Sequence, residues 1–330
     1  MDDKRLPDLG PLLTPQKEFG VVVKQAVESQ TVHAPRVDLL FVRFKEATPD
    51  ENGLAEVVCN QVINYAIPKN KIIEVQKQAV ANPSDVSIWS KIVSEARRAF
   101  IAYKPTPSTD KPQSRYSEVG EVIAFCVASH FLNAGQVAAK MALKTNSEMP
   151  VYGLDGIHVK VETDGILTVF CLESKMVGNA KSGGEQYAKS AAGFAKDRKH
   201  KLNEQRIARD LSNLDILDGA VRESALAYFD PYSEEQGKVR ERFVGIIIYD
   251  EPGYIDKLTV TDAIPIDTHQ KHFVAKFESL HGEFSQNITT ALKNQNVEAG
   301  TCRAFFLAVP STARLKELFS KEMSNDHIRQ

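Results

Sequence analysis

The sequence predicts an α/β (α+β) protein, a mixed sheet flanked by helices. Three observations lead there. Strand-like apolar runs intermix with helical patterns instead of segregating into separate blocks. A hairpin signal lies near the middle of the chain, and the C-terminal third alternates apolar strands with long helical patterns. With 330 residues, 42% hydrophobic and 25% charged, the chain can bury one large core or two modest ones.

Taken in order, residues 1–35 hold few apolar clusters and several prolines, which suits a loosely ordered arm. RVDLLFVRF (36–44) alternates as a strand does. Helical patterns follow near 54–66, 70–81 and 84–103, the third with Ser84 and Asp85 as a cap ahead of Val86, Ile88, Ile92 and Ala96. YKPTPSTDKPQSRYS (103–117) is the best linker signal in the chain. It divides a 1–110 extension of strand and helices, a partner surface by expectation, from a 111–330 domain. SEVGEVIAFCVASHFL then reads as a helix from a Ser117 N-cap to about Asn133. NAGQVAAKMALKTN stays open between helix and strand. After the hairpin come a small-residue helix from about Gly183 to Lys201, a buried strand at 243–250 and one long helix at 269–294. A strand at 302–310 and a closing helix at 312–323 complete the chain.

Composition excludes several classes. A formal net charge of −2 gives no whole-chain attraction for nucleic acid, so any such contact needs a local basic patch within a screening length of roughly 10 Å. Cys59, Cys126, Cys171 and Cys302 form no C-x-x-C pair and no secreted framework, which points to buried thiols in a reducing cytoplasm. The acidic, proline-broken N-terminus is not a signal peptide. No apolar run approaches the ~20 residues of a spanning helix, so a soluble, cytoplasmic protein with no membrane partner is expected.

The hairpin GLDGIHVKVETDGILTVFCLESK (153–175) carries the chemistry. Thr163, Asp164 and Gly165 suit a short loop, with Gly165 at positive φ. If the loop centres on Asp164, paired residues have numbers that sum to 328, and Asp155 faces Glu173 with Cβ atoms about 5 Å apart. Lys175, two residues further, shares their face. A two-residue Asp-Gly turn would slip the register by one and separate the acids. Ile157, Val159, Val161, Leu167, Val169 and Cys171 make the rest of that face apolar.

Two carboxylates this close repel unless a cation joins them, and Mg²⁺ (or Mn²⁺), a hard ion held by oxygens and water, is the economical choice. Lys175 can then orient water or stabilise charge on a phosphate. A rim salt bridge is the plain alternative for an isolated E-x-K. Glu121 shares a helical stripe with Phe125, Ala128 and Leu132 that faces the core, and so can approach the same ion. Glu118 reads as an acid favoured by the helix dipole. His158 has the wrong parity for a base and reads as a packed or exposed histidine. MVGNAKSGG lacks the G-x-x-x-x-G-K-[ST] order, so an NTPase loop is rejected, although the helix N-terminus can receive a phosphate. Residues 178–206 carry a local net +4, with Lys181, Lys189, Lys196, Arg198 and Lys199 as candidate DNA contacts.

A helix Glu, a strand Asp and a strand Glu-x-Lys followed by a helix resemble the PD-(D/E)xK nuclease superfamily, with Leu154-Asp155 in place of the leading Pro-Asp. "GEVIAF…MPVYGLDGIHVKVE…GILTVFCLESKM" is similar to the HamA family, the nuclease subunit of Hachiman anti-phage defence. "LAEVVCNQVINYAIP" (54–68) and "CRAFFLAVPS" (302–311) match it more loosely. The resemblance implies a restriction-endonuclease-like fold and a DNA-cutting effector restrained by a partner helicase (HamB-like). Asp155, Glu173, Glu121 and the Ser174 carbonyl would then bind metal, and Lys175 would position the attacking water. It also suggests Gln186 and Tyr187 as a Gln and Tyr near the metal, at a poorly fitting spacing. Two rivals stand beside it: a non-catalytic module docking a helicase or DNA, and a modification-dependent or transposon-type endonuclease of the same superfamily.

Overall fold

The computed structural model describes residues 8–29, 35–100, 118–139, 141, 154–197, 206, 213–230, 232–234, 239–255, 265 and 267–324. Its helices are α1 (Lys17–Val22), α2 (Glu51–Asn60), α3 (Val62–Ala66), α4 (Lys69–Ala81), α5 (Ser87–Ala99), α6 (Val119–Phe131), α7 (Ala180–Lys196), α8 (Gly219–Phe229), α9 (Thr268–Ser279), α10 (His281–Asn294) and α11 (Thr312–Ser324). Its strands are β1 (Val23–Val27), β2 (Arg36–Val42), β3 (Phe44–Lys45), β4 (Thr48–Pro49), β5 (Gly135–Gln136), β6 (Gly156–Val161), β7 (Leu167–Val177), β8 (Arg240–Asp250) and β9 (Cys302–Val309). Seven strands run in the order β1-β2-β9-β8-β7-β6-β5, and β3 pairs with β4. The sheet is mixed, as the intermixed patterns predict: β2 and β8 flank β9 in parallel, while β1 with β2 and β5 with β6 are antiparallel.

The chain forms two compact units, one of residues 1–15, 60–171 and 198–241, the other of 16–59, 172–197 and 242–330. The boundary expected at 110 lies outside the described residues, as do the 103–117 linker and Ser117.

In the second unit, β2, β8 and β9 are near-continuous apolar runs buried on both faces, the signature of parallel strands under helices. Parallel neighbours need a crossover, and the β8–β9 connection supplies α9 and α10. Phe284 of α10 packs on Phe306 of β9 at 4.7 Å between ring centroids. Helix α7 sits close to β8 because glycines meet there: a Cβ on Gly183 would strike Ile247, and one on Gly245 would lie 2.5 Å from the Tyr187 ring. Asp250 caps α11 by accepting from the Thr312 N–H at 2.5 Å. Residues 16–27 are not the loose arm expected. Val23 pairs with Val42 and Gln25 with Leu40, which makes β1 a sheet strand, and Phe19 and Val22 of α1 are buried.

In the first unit, α6 is apolar around most of its circumference and buried along nearly its whole length. In the ambiguous segment after it, Gly135–Gln136 form β5, whose Gln136 pairs in register with His158, while residues 140 and 142–146 lie outside the described residues. Asn213 ties this region together: its side chain donates to the Gln136 carbonyl at 3.2 Å and accepts from the Lys69 N–H at 2.9 Å. In α5, Ile92 and Ala96 are buried as expected, but Val86 is 76% exposed and the helix starts one residue later. Asp85 still acts at that start, accepting from the Ser87 N–H at 3.0 Å.

Two expected helices are broken. The 54–66 pattern splits at Gln61, and 269–294 splits at Leu280. At the second break the Leu280 N–H bonds the Phe277 carbonyl, an i−3 closure, and His281 Nε2 lies 3.0 Å from the Val37 carbonyl, which re-aims the chain.

Candidate functional site

The loop of the hairpin has the geometry that centres it on Asp164. Glu162 N–H donates to the Ile166 carbonyl at 3.0 Å and Gly165 N–H to the Glu162 carbonyl at 2.9 Å, with Gly165 at φ 79°. This three-residue loop with a left-handed glycine pairs 162 with 166, on the register that sums to 328. Arg240 reinforces the turn by binding the Asp164 carboxylate at 2.7 Å, and this partner together with the Ile166 N–H holds that carboxyl below its ordinary range.

In the second unit, the end of β7 carries Glu173 and Lys175 on one face, as alternation requires. Lys175 Nζ lies 2.5 Å from Glu173 Oε1, and both side chains are mostly buried, 22% and 14% exposed. A third group joins them. Ser190 of α7 donates its hydroxyl to the same oxygen, Glu173 Oε1, at 3.1 Å. Ser174 lies between the pair with its side chain on the opposite face, so its carbonyl is the donor it can offer a metal.

The first unit holds Glu121 and Asp155. Glu121 is in the first turn of α6 and Asp155 immediately precedes β6; both are half-buried. The buried Tyr65 phenol donates to Glu121 Oε2 at 2.5 Å. Burial pushes the Tyr65 hydroxyl far above its ordinary pKa, and the fields of Glu121, Asp155 and Glu118 push it further. Three carboxylates thus act on one neutral donor. Sequence reasoning misses Tyr65, because 56 residues separate it from Glu121 and nothing in its local pattern sets it apart from a core aromatic.

His158 is 1% exposed, beside Phe125 at 5.8 Å between ring centroids. Burial lowers its pKa to about 3, with the charge of Lys69 adding to the effect. It is a packed histidine, neutral near pH 7. Gln186 is exposed and bonds Ser182, while Tyr187 is buried with its hydroxyl on the Phe243 carbonyl at 2.8 Å. Ser190, one turn beyond Gln186, reaches Glu173 with its hydroxyl.

Gly183 and Gly184 pack α7 against Ile247 and Ile288, so these glycines seat a helix and form no phosphate cradle. Asn179 caps that helix by accepting from the Ser182 N–H at 2.9 Å. Lys181, Lys189 and Lys196 of α7 are exposed; Arg198 and Lys199 lie outside the described residues.

Among the described residues, no group of three or more His, Cys, Asp and Glu side chains is gathered as a ready metal cage. Mg²⁺ asks for less, since it is commonly held by one or two carboxylates with water and substrate phosphate completing the shell. The hard carboxylate oxygens of Asp155 and Glu173 fit Mg²⁺ or Mn²⁺ by donor type. Among the described residues no helix is long and apolar enough to cross a membrane.

A search of curated proteins finds no match to the chain. A family model described as HamA matches residues 17–323, nearly the whole length. The chain therefore belongs to the HamA family and is a Hachiman anti-phage defence protein.

Proposed function

We propose that the protein is a Mg²⁺-dependent (or Mn²⁺-dependent) deoxyribonuclease that acts with a partner helicase and hydrolyses phosphodiester bonds in DNA. The observation that carries the reading is the Glu173–Lys175 pair at the end of β7, held on one face and followed directly by a capped helix. Membership of a family from a two-component defence system supports the helicase partner.

In this reading the metal ligands are the carboxylates of Asp155 and Glu173, the two acids that the hairpin sequence singles out. Those two carboxylates would hold the ion, with the Ser174 carbonyl and Glu121 contributing. When bound, the ion supplies positive charge at the scissile phosphate and acidifies water. Lys175 lies within reach of Glu173 and presents its ammonium on the same face, where it orients the attacking water and opposes charge on the phosphate. Tyr65 fixes the Glu121 carboxylate. The exposed lysines of α7 meet the DNA backbone.

The test is cleavage of DNA by the protein with its neighbouring helicase and ATP, in Mg²⁺ and in EDTA, with Glu173→Ala and Lys175→Ala alongside. Metal-dependent cutting lost in both variants, together with lost protection against phage, is the expected result. Intact protection by both variants would leave a non-catalytic docking module as the better account.

A further inference from the structure

We propose that Ser190 is a positioning residue for Glu173, an inference that rests on the nuclease reading above. Two donors from different elements meet on one carboxylate oxygen: Lys175 Nζ from β7 at 2.5 Å and Ser190 Oγ from α7 at 3.1 Å. Lys175 ties the Glu173 carboxylate to a neighbour two residues away on the same strand. The terminal torsion of Glu173 is broad, so such a pair can turn together. Ser190 ties the oxygen to a second element.

That element is rigidly seated. Gly183, Gly184, Tyr187 and Ala191 bury one face of α7, and Ser190 stands at the border of that face. A serine in mid-helix often turns its hydroxyl back to the carbonyl four residues earlier. Here it bonds Glu173.

The division of labour follows from the chemistry of the two donors. Lys175 is the charged one and is needed at the phosphate. When it turns toward substrate, Glu173 loses its ammonium partner, and the neutral Ser190 hydroxyl stays as the anchor. Ser190 thus acts through Glu173 on metal affinity, as groups behind metal ligands do. It adds no charge that would compete with the ion.

The experiment uses the full chain and Mn²⁺ alone as probe, with binding read by electron paramagnetic resonance of free Mn²⁺ and folding by urea denaturation. DNA cutting with the helicase is measured as a function of Mn²⁺. Ser190→Ala is expected to weaken Mn²⁺ binding roughly tenfold, with cutting recovering at high Mn²⁺. Ser190→Thr and Ser190→Val have the same shape but only Thr keeps the hydroxyl, so Thr should bind Mn²⁺ nearly as wild type and Val as poorly as Ala. If wild type binds Mn²⁺ and Glu173→Ala does not, while Ser190→Ala matches wild type or Thr and Val behave alike, the role of Ser190 is overturned and the nuclease reading stands. If wild type neither binds Mn²⁺ nor cuts, both fall.

Discussion

The Tyr65 hydroxyl donates to Oε2 of Glu121 over 2.5 Å, from a ring that is 1% exposed. A buried phenol beside several carboxylates stays protonated, so it remains a donor over the whole physiological range. Tyr65→Phe removes that donor and keeps the ring that packs on Phe100 and Phe125. The expected cost is about 1.5–3 kcal/mol, the value of a hydrogen bond to a charged group, read from urea denaturation. If the bond carries the effect, Glu121→Gln made in addition should cost much less than it does in wild type, because the two side chains act as one unit. Full additivity of the two changes would sink this account.

His158 gives the fold an acid-sensitive point. Its pKa is about 3 in the folded chain against an ordinary 6.5, and neither ring nitrogen has a hydrogen-bond partner among the described residues. Between those pH values the unfolded chain holds the extra proton. Its contribution to stability is therefore complete above pH 6.5 and is lost as pH falls toward 3, with a slope approaching about 1.4 kcal/mol per pH unit. His158→Leu should flatten this part of the profile, and urea midpoints between about pH 5 and 7 would show it. Lys69 works on the alkaline side. Burial lowers it to about 8 from 10.5, so the penalty for its charge is relieved as pH rises through that window.

How much of this was legible in the sequence depends on how far apart the cooperating residues lie. The Thr163-Asp164-Gly165 loop could be read because a left-handed glycine fixes the turn locally, and the turn in turn sets the register. The shared face of Glu173 and Lys175 follows from strand alternation alone. Ser190 was illegible for the opposite reason. A serine on a small-residue helix carries no signal until the helix is docked, and its docking depends on Gly183 meeting Ile247 of a strand far along the chain. The break at Leu280 was hidden in the same way. The apolar period continues across it, and what divides the helix is a local closure and a contact from His281 to β2. Strand β1 escaped because its five residues include a lysine and a glutamine, and it is recognisable only once paired with β2.

Asp38 and Arg303 form a forked pair between neighbouring strands β2 and β9, at 2.7 and 3.2 Å, with Asp38 wholly buried. Gln25 and the Ser29 N–H also donate to Asp38 Oδ1, and the Arg303 guanidinium lies 4.7 Å from the centre of the Phe305 ring. Breaking such a pair leaves an uncompensated charge, so Asp38→Ala should cost about 3–5 kcal/mol. Replacing both partners by apolar residues, Asp38→Leu with Arg303→Met, should cost far less than the two single changes together. A double variant as unstable as that sum would show that the pair does more than satisfy itself.

Lys181 and Lys189 are exposed on α7, the helix that also carries Ser190 behind Glu173. Glu185 stands between them on the same side, so the net field there is modest and their effect on DNA must come from direct phosphate contact. Each of Lys181→Ala and Lys189→Ala should then weaken binding to DNA equally for all sequences. Each should also reduce the slope of log affinity against log salt by about 1, the signature of one released counterion. Fluorescence anisotropy with a labelled duplex over a range of salt concentrations measures both. Lys71→Ala is the control, because that lysine is paired with Glu95 at 2.6 Å on the exposed faces of α4 and α5. Should removing Lys181 and Lys189 together leave the slope where it was, α7 would not be the surface that meets the DNA backbone, and the basic surplus there would be only a solvated helix face.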